Sequence, residues 1–176
     1  MLHHTSVHAP RAPTARLPPA ADRPIHHVPA KSGQVLKMGR IACRIIEDGS
    51  NTGNRVGSAE FTVPPGTSGP LAHFHEVHDE TFFVTAGTIK FHGAKGKSVV
   101  ASAGDYVVVP MRAPHAYENT STDTEAKFLV TVVPAAYINY YRLVESMLEE
   151  DEPPTEEIIL EAMARFATMP VEGGTY

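Results

Sequence analysis

Between residues 35 and 133 the chain is cut into short segments in which apolar and polar side chains alternate, each separated from the next by glycine, proline or a polar turn. Residues 35–38 and 41–46 flank Gly39-Arg40, and a turn-rich loop occupies residues 47–53. Residues 58–63 alternate into Pro64-Pro65-Gly66. Residues 71–76 and 81–85 follow, and residues 88–92 are expected to form a hairpin with 81–85 across Ala86-Gly87. Segments at 98–101, 106–109, 115–118 and 127–133 complete the series. Strands this short at intervals this regular suit an all-β fold, a small antiparallel β-barrel or jelly roll. Met38 and Cys43 are expected to fill its core.

After Pro134 the period changes from two to that of a helix. Tyr137, Tyr140, Tyr141, Val144, Met147 and Leu148 fall on one face, and the acidic run Glu149-Glu150-Asp151-Glu152 with Pro153-Pro154 ends the helix as a solvated linker. A second helix starts at Thr155, with Glu156 or Glu157 in its first turn, and carries Ile158, Ile159, Ala162, Met163 and Phe166. The domain reading is a Pro/His-rich N-terminal arm over 1–30, a barrel over 31–136 and a helical cap over 137–176. With 176 residues the chain can bury one sizeable core.

Chemistry concentrates in two of the strand segments. His73 and His75 are two residues apart, so in a strand both imidazoles leave the backbone on the same side, and a carboxylate shortly after can join them. His115, entering from another strand, would complete three imidazoles plus one carboxylate, a set suited to one divalent transition metal: Fe, Ni, Mn, Co, Cu or Zn. His78 lies between the pair and Glu80, where it could replace a ligand, orient one, or stay in solvent. His3, His4, His8, His26 and His27 belong to a proline-rich arm with no acidic residue before Asp22, and read as solvated tail.

The first segment reads His73-x-His75-x(4)-Glu80-x(6)-Gly87, and the second Gly104-x(5)-Pro110-x(4)-His115-x(3)-Asn119. Together they resemble the two motifs of the cupin superfamily, over roughly residues 35–133. The resemblance implies His73, His75, Glu80 and His115 as metal ligands. Arg112 stands where the second motif usually has glycine, and Gly66 or Gly69 must serve as the opening glycine of the first.

A second resemblance rests on Val133-Pro134-Ala-Ala-Tyr137-Ile-Asn-Tyr140-Tyr141-Arg-Leu143 and the helix over residues 155–166, and is to the quercetin 2,3-dioxygenase-like group of monocupins. It implies a metal-dependent dioxygenase acting on a flavonol-like or other enolisable aromatic substrate, with Glu80 as both ligand and catalytic base and with dioxygen as the second substrate. In that group the heterocycle opens with release of carbon monoxide. The alternative is a non-oxidative cupin, an isomerase, cyclase or decarboxylase of secondary metabolism, since one scaffold hosts many chemistries.

By the period of two, Glu80, Phe82 and Val84 share a face, as do His115 and Tyr117, with Phe128, Val130 and Val132 opposite. The expected substrate pocket is therefore Phe82, Tyr117, Phe128, Val130 and Val132, with the Tyr117 hydroxyl free to donate. Phe74 and Phe83 would point outward and, with the tyrosine face of the helix, favour a homodimer. A net charge of −5 gives no basic stripe for nucleic acid, and no apolar run approaches membrane-spanning length. Cys43 is the single cysteine, which excludes an intrachain disulfide and suits a cytoplasmic setting.

Overall fold

A computed structural model describes residues 24–149 and 154–171. His3, His4 and His8 and the acidic residues Glu150, Asp151 and Glu152 lie outside the described residues. The chain forms β1 (Gln34–Met38), β2 (Ile41–Glu47), β3 (Gly57–Val63), β4 (Thr67–Ser68), β5 (His73–His75), β6 (Asp79–Ala86), β7 (Thr88–His92), β8 (Ser98–Ser102), β9 (Tyr106–Val109), β10 (Ala116–Asn119) and β11 (Ala126–Val133). A single 3-10 turn, Ala135–Tyr137, leads into α1 (Ile138–Leu148), followed by α2 (Glu156–Arg165) and β12 (Thr168–Pro170). No helix among the described residues is long and apolar enough to cross a membrane.

The strands form two facing antiparallel sheets. One runs β1-β2-β3-β11-β6-β9 and the other β4-β10-β7-β8, a jelly-roll arrangement. Alternation decides which side chains face inward: Ile41, Cys43 and Ile45 on β2, Ala59, Phe61 and Val63 on β3, and Phe128, Val130 and Val132 on β11 are all buried. Aromatic rings join the sheets. Phe82 meets Phe91 at 5.1 Å between centroids, and Tyr117 packs edge-on against Phe128 at 5.0 Å. Such pairs add about 0.5–1.5 kcal/mol each beyond the area they bury.

The segment after Gly87 differs from the expected hairpin. β6 pairs with β9 and β11, whereas β7 pairs with β8 and β10, so the chain changes sheets at Gly87 instead of folding back on itself. Gly87 has φ +65°, and a Cβ there would sit 2.6 Å from the Glu125 carbonyl oxygen, so both backbone and space demand glycine. Phe74 also departs from expectation. β12 pairs with β5 in a separate two-stranded ladder that sets Met169 opposite Phe74, and Phe74 is half-buried, while Phe83 is exposed.

Both helices cover the barrel. Tyr141 of α1 meets Phe61 edge-on at 5.2 Å, and Ile138 is fully buried against Gly57, whose missing side chain lets the helix approach. Arg142 fixes the outer side of α1 by bonding Asp48 at 2.8 Å and Gln34 at 2.9 Å. At α2 the Thr155 side chain accepts from the Ile158 N–H, an ordinary N-cap.

Candidate metal centre

Three elements deliver the histidines and glutamate to one place. The alternation of β5 buries His73 and His75 with Phe74 between them, β6 buries Glu80, and an isolated bridge between His73 and His115 brings in the second motif through paired backbone bonds of 3.0 and 2.8 Å. His73, His75, Glu80 and His115 are each 5% exposed or less.

The hydrogen bonds around the rings determine which nitrogens are free. His73 Nδ1 lies 2.7 Å from the Leu71 carbonyl oxygen and His115 Nδ1 lies 3.0 Å from that of Ala113. A carbonyl only accepts, so each Nδ1 carries a proton and Nε2 is the atom left to face a metal, as a lone pair when the ring is neutral. His75 Nδ1 is 3.0 Å from the Thr168 hydroxyl. Against these lone pairs stands the Glu80 carboxylate: its Oε2 is 3.2 Å from His115 Nε2 and 3.4 Å from His75 Nε2. His75 Nε2 and His78 Nε2 have no hydrogen-bond partner.

Burial depresses the pKa of His73 to about 3, helped by the neighbouring His115 and His75, and burial likewise lowers that of His75. For Glu80, burial alone would raise the carboxyl, but the imidazoles of His115, His75 and His78 outweigh it and hold the group well below the usual carboxylate range. The centre therefore sets three imidazoles against a buried carboxylate whose ionised form they favour. Such a charge is costly without a cation beside it. Donor atoms of His73, His75 and His115 lie within 4.8 Å of one another, as do those of His75, His78 and Glu80. This cluster is compatible with a divalent metal, and the orphaned His75 Nε2 is the atom that most needs one.

His78 is not in solvent. It is 2% exposed, stacks between His75 at 3.8 Å and Tyr137 at 4.1 Å, and points Nε2 at Glu80 Oε1 from 3.7 Å. Nothing in its own neighbourhood of sequence signals this, because its cover, Tyr137, comes from the far end of the barrel. Tyr141 and Thr168 are the other polar groups at the centre that sequence reasoning left unassigned. The helical spacing of Tyr137 and Tyr141 marked a buried face, and no pattern marked Thr168.

A cavity of about 240 Å³ opens beside the centre. Phe82, Tyr117 and Phe128 line it, together with His73, Glu80 and His115, while the Ala135–Tyr137 turn adds Tyr137 and α1 adds Tyr140, Tyr141 and Val144. Val130 and Val132 are buried in the core beside the cavity and do not line it. The two candidates for the opening glycine separate by role. Gly66 takes φ +58°, whereas Gly69 lies flat on Tyr117, where a Cβ would come within 2.6 Å of the ring. Arg112, at the usual glycine position, keeps the left-handed backbone, φ +66°, and its N–H bonds the His75 carbonyl oxygen at 2.8 Å.

Residues 59–132 match the family model for a cupin domain. Among solved structures, the chain is similar to a predicted oxalate decarboxylase from Thermotoga maritima, with 28% identity over 55% of this chain and 82% of that one and a TM-score of 0.50. It is also similar in fold to an RmlC-like cupin from Shewanella frigidimarina, with 18% identity, 63% and 92% coverage, and a TM-score of 0.53. A search of curated proteins finds no match. The matched segment lies within the barrel, and the likeness to the Shewanella protein is one of fold.

Proposed function

We propose that this chain, with its cupin domain over residues 59–132, is a metal-dependent enzyme acting on a compact, enolisable aromatic substrate, in the manner of a quercetinase-like dioxygenase. The observation that carries the reading is the buried Glu80 carboxylate, 3.2 Å from His115 Nε2 and 3.4 Å from His75 Nε2, facing rings whose Nδ1 atoms are already committed. His73, His75, Glu80 and His115 would hold the metal, which when bound supplies a Lewis acid that makes a substrate hydroxyl easier to deprotonate.

The remaining work falls to the protein. Glu80 accepts the hydroxyl proton: the substrate O–H bond breaks, its electron pair stays on the substrate oxygen as an enolate, and the proton ends on the carboxylate. Phe82, Phe128 and Tyr117 form an apolar, edge-to-face aromatic wall for a ring, and α1 closes the cavity with tyrosines that keep bulk water off the anion. At about 240 Å³ the cavity is slightly below the range of about 300–1,000 Å³ usual for small-molecule sites, which favours one or two fused rings over a glycosylated substrate.

The second reading is non-oxidative chemistry in the same cavity. It is favoured by similarity to the predicted oxalate decarboxylase from Thermotoga maritima. One experiment separates the two. Metal-loaded protein is given a panel of 3-hydroxyflavonols and smaller enolisable aromatics while dissolved oxygen and product are followed together. Oxygen uptake matching substrate loss supports the dioxygenase. Turnover with no oxygen uptake supports the isomerase, cyclase or decarboxylase reading.

A further inference from the structure

One of the three metal-facing histidines is oriented differently from the others. His73 and His115 give their Nδ1 protons to carbonyls two residues earlier in the chain, whereas His75 gives its proton to the Thr168 hydroxyl, 93 residues distant, at 3.0 Å. Thr168 is 1% exposed and its Oγ1 lies 3.4 Å from the Phe166 carbonyl oxygen, to which only the threonine can donate. With its proton on that carbonyl, the hydroxyl accepts from His75 Nδ1, and the same oxygen bonds the Tyr137 phenol. That fixes the ring's tautomer and turns its orphaned Nε2 toward Glu80.

The segment that carries Thr168 lies beyond the matched cupin domain. It returns to the site through a turn in which Ala167 takes φ +50°, a conformation that costs an alanine about 1–2 kcal/mol. β12 then adds to β5 with Thr168 opposite His75 and Pro170 opposite His73, held by Glu76 N–H to the Ala167 carbonyl and Val171 N–H to that of Ala72, both 2.9 Å. Phe166 anchors the turn against Tyr140 at 5.5 Å.

We infer that Thr168 is a positioning residue for metal ligand His75, and that the α2–β12 segment is a clasp whose docking and metal binding stabilise one another. The inference rests on the metal reading above. Whatever binds His75 Nε2 favours the ring orientation that Thr168 holds, and linkage requires a docked Thr168 to favour the bound metal by the same factor.

The test uses the full chain stripped of metal and titrated with Co(II), followed by its visible absorption, alongside hydrogen exchange at the Glu76 and Val171 amides. Thr168→Val keeps the shape and removes the hydroxyl, and should weaken Co(II) binding by about 10- to 100-fold, while Thr168→Ser should stay within about threefold of the parent. In the parent, Co(II) should slow exchange at both amides. Co(II) binding by Thr168→Val equal to the parent, or exchange unaffected by Co(II), would overturn the clasp and leave the metal reading standing. No Co(II) binding by the parent would overturn both. Should Thr168→Val not fold, the exchange measurement on the parent decides alone.

Discussion

The Tyr141 hydroxyl stands 3.5 Å from Glu80 Oε1, while His115 Nε2 approaches the other oxygen, Oε2, at 3.2 Å. The two oxygens of one carboxylate thus face different company. Oε2 looks at the imidazoles expected to hold metal, and Oε1 looks at a phenol and at His78. Burial pushes the Tyr141 phenol well above its ordinary pKa, so it stays a donor and leaves Glu80 as the carboxylate placed to take a proton from substrate, with His78 beside it.

Glu80 is therefore expected to act as base as well as ligand. A metal-loaded Glu80→Gln protein should turn over about 100-fold or more slowly, the usual worth of a positioned base. Metal content and turnover are measured on the same preparation. Full activity in metal-loaded Glu80→Gln would remove the base role and leave a ligand.

Gly69→Ala tests the cavity wall. A Cβ there would lie 2.6 Å from two Tyr117 ring carbons, and that ring is already packed against Phe128 and Phe61. Overpacking of this kind costs about 1–3 kcal/mol. Thermal unfolding should register that loss while metal binding is retained, because none of the histidines touches the new methyl. An unchanged melting temperature would show that Tyr117 has room to move.

Arg112→Gly should stabilise the protein. The arginine holds φ +66°, which costs a side-chain-bearing residue about 1–2 kcal/mol, and the greater freedom of glycine in the unfolded chain returns about 0.5–1 kcal/mol of that. Its ion pair with Glu76, 3.6 Å and 72% exposed at the arginine, contributes little to offset the relief. Urea denaturation should show a net gain of up to about 1 kcal/mol. A loss would mean that the side chain does more than the geometry indicates.

The Asp48–Arg142 pair links the loop after β2 to α1 and gives a pH signature. A hydrogen bond from Arg142, assisted by Ser50, holds the Asp48 carboxyl down at about 2 against an ordinary value of 3.8. A carboxyl whose folded pKa is depressed stabilises the fold above its ordinary value and loses that contribution as pH falls toward the folded one. Asp48→Asn should thus be slightly less stable than the parent at pH 5, by at most about 1 kcal/mol for so exposed a pair, and the gap should close between pH 4 and pH 2. A gap that does not narrow would assign the difference to packing.

The strands were legible because alternation is a local property: β2, β3, β6 and β11 each bury every second residue, and their sequences say so. The partners were not. Gly87 looks like a hairpin turn whether the chain folds back or crosses to the other sheet, and only the pairing of β6 with β9 decides it. β4 and β12 are two and three residues long, too short for a period, and exist because β10 and β5 offer them an edge. The same reason hid His78 and Thr168. Each is buried by a segment remote in sequence, His78 under Tyr137 and Thr168 against His75. The ligand spacing itself was visible because a strand period and a motif coincide at His73, His75 and Glu80.

The most direct test is the metal content of the full chain purified gently and then offered Ni(II), Fe(II), Mn(II), Co(II), Cu(II) or Zn(II) in turn. A buried Glu80 among histidines whose Nδ1 atoms are committed, with His75 Nε2 unpartnered, predicts about one divalent transition metal per chain, either retained or restored. A stoichiometry near zero that none of these ions restores would contradict the metal centre and with it the chemistry assigned to Glu80.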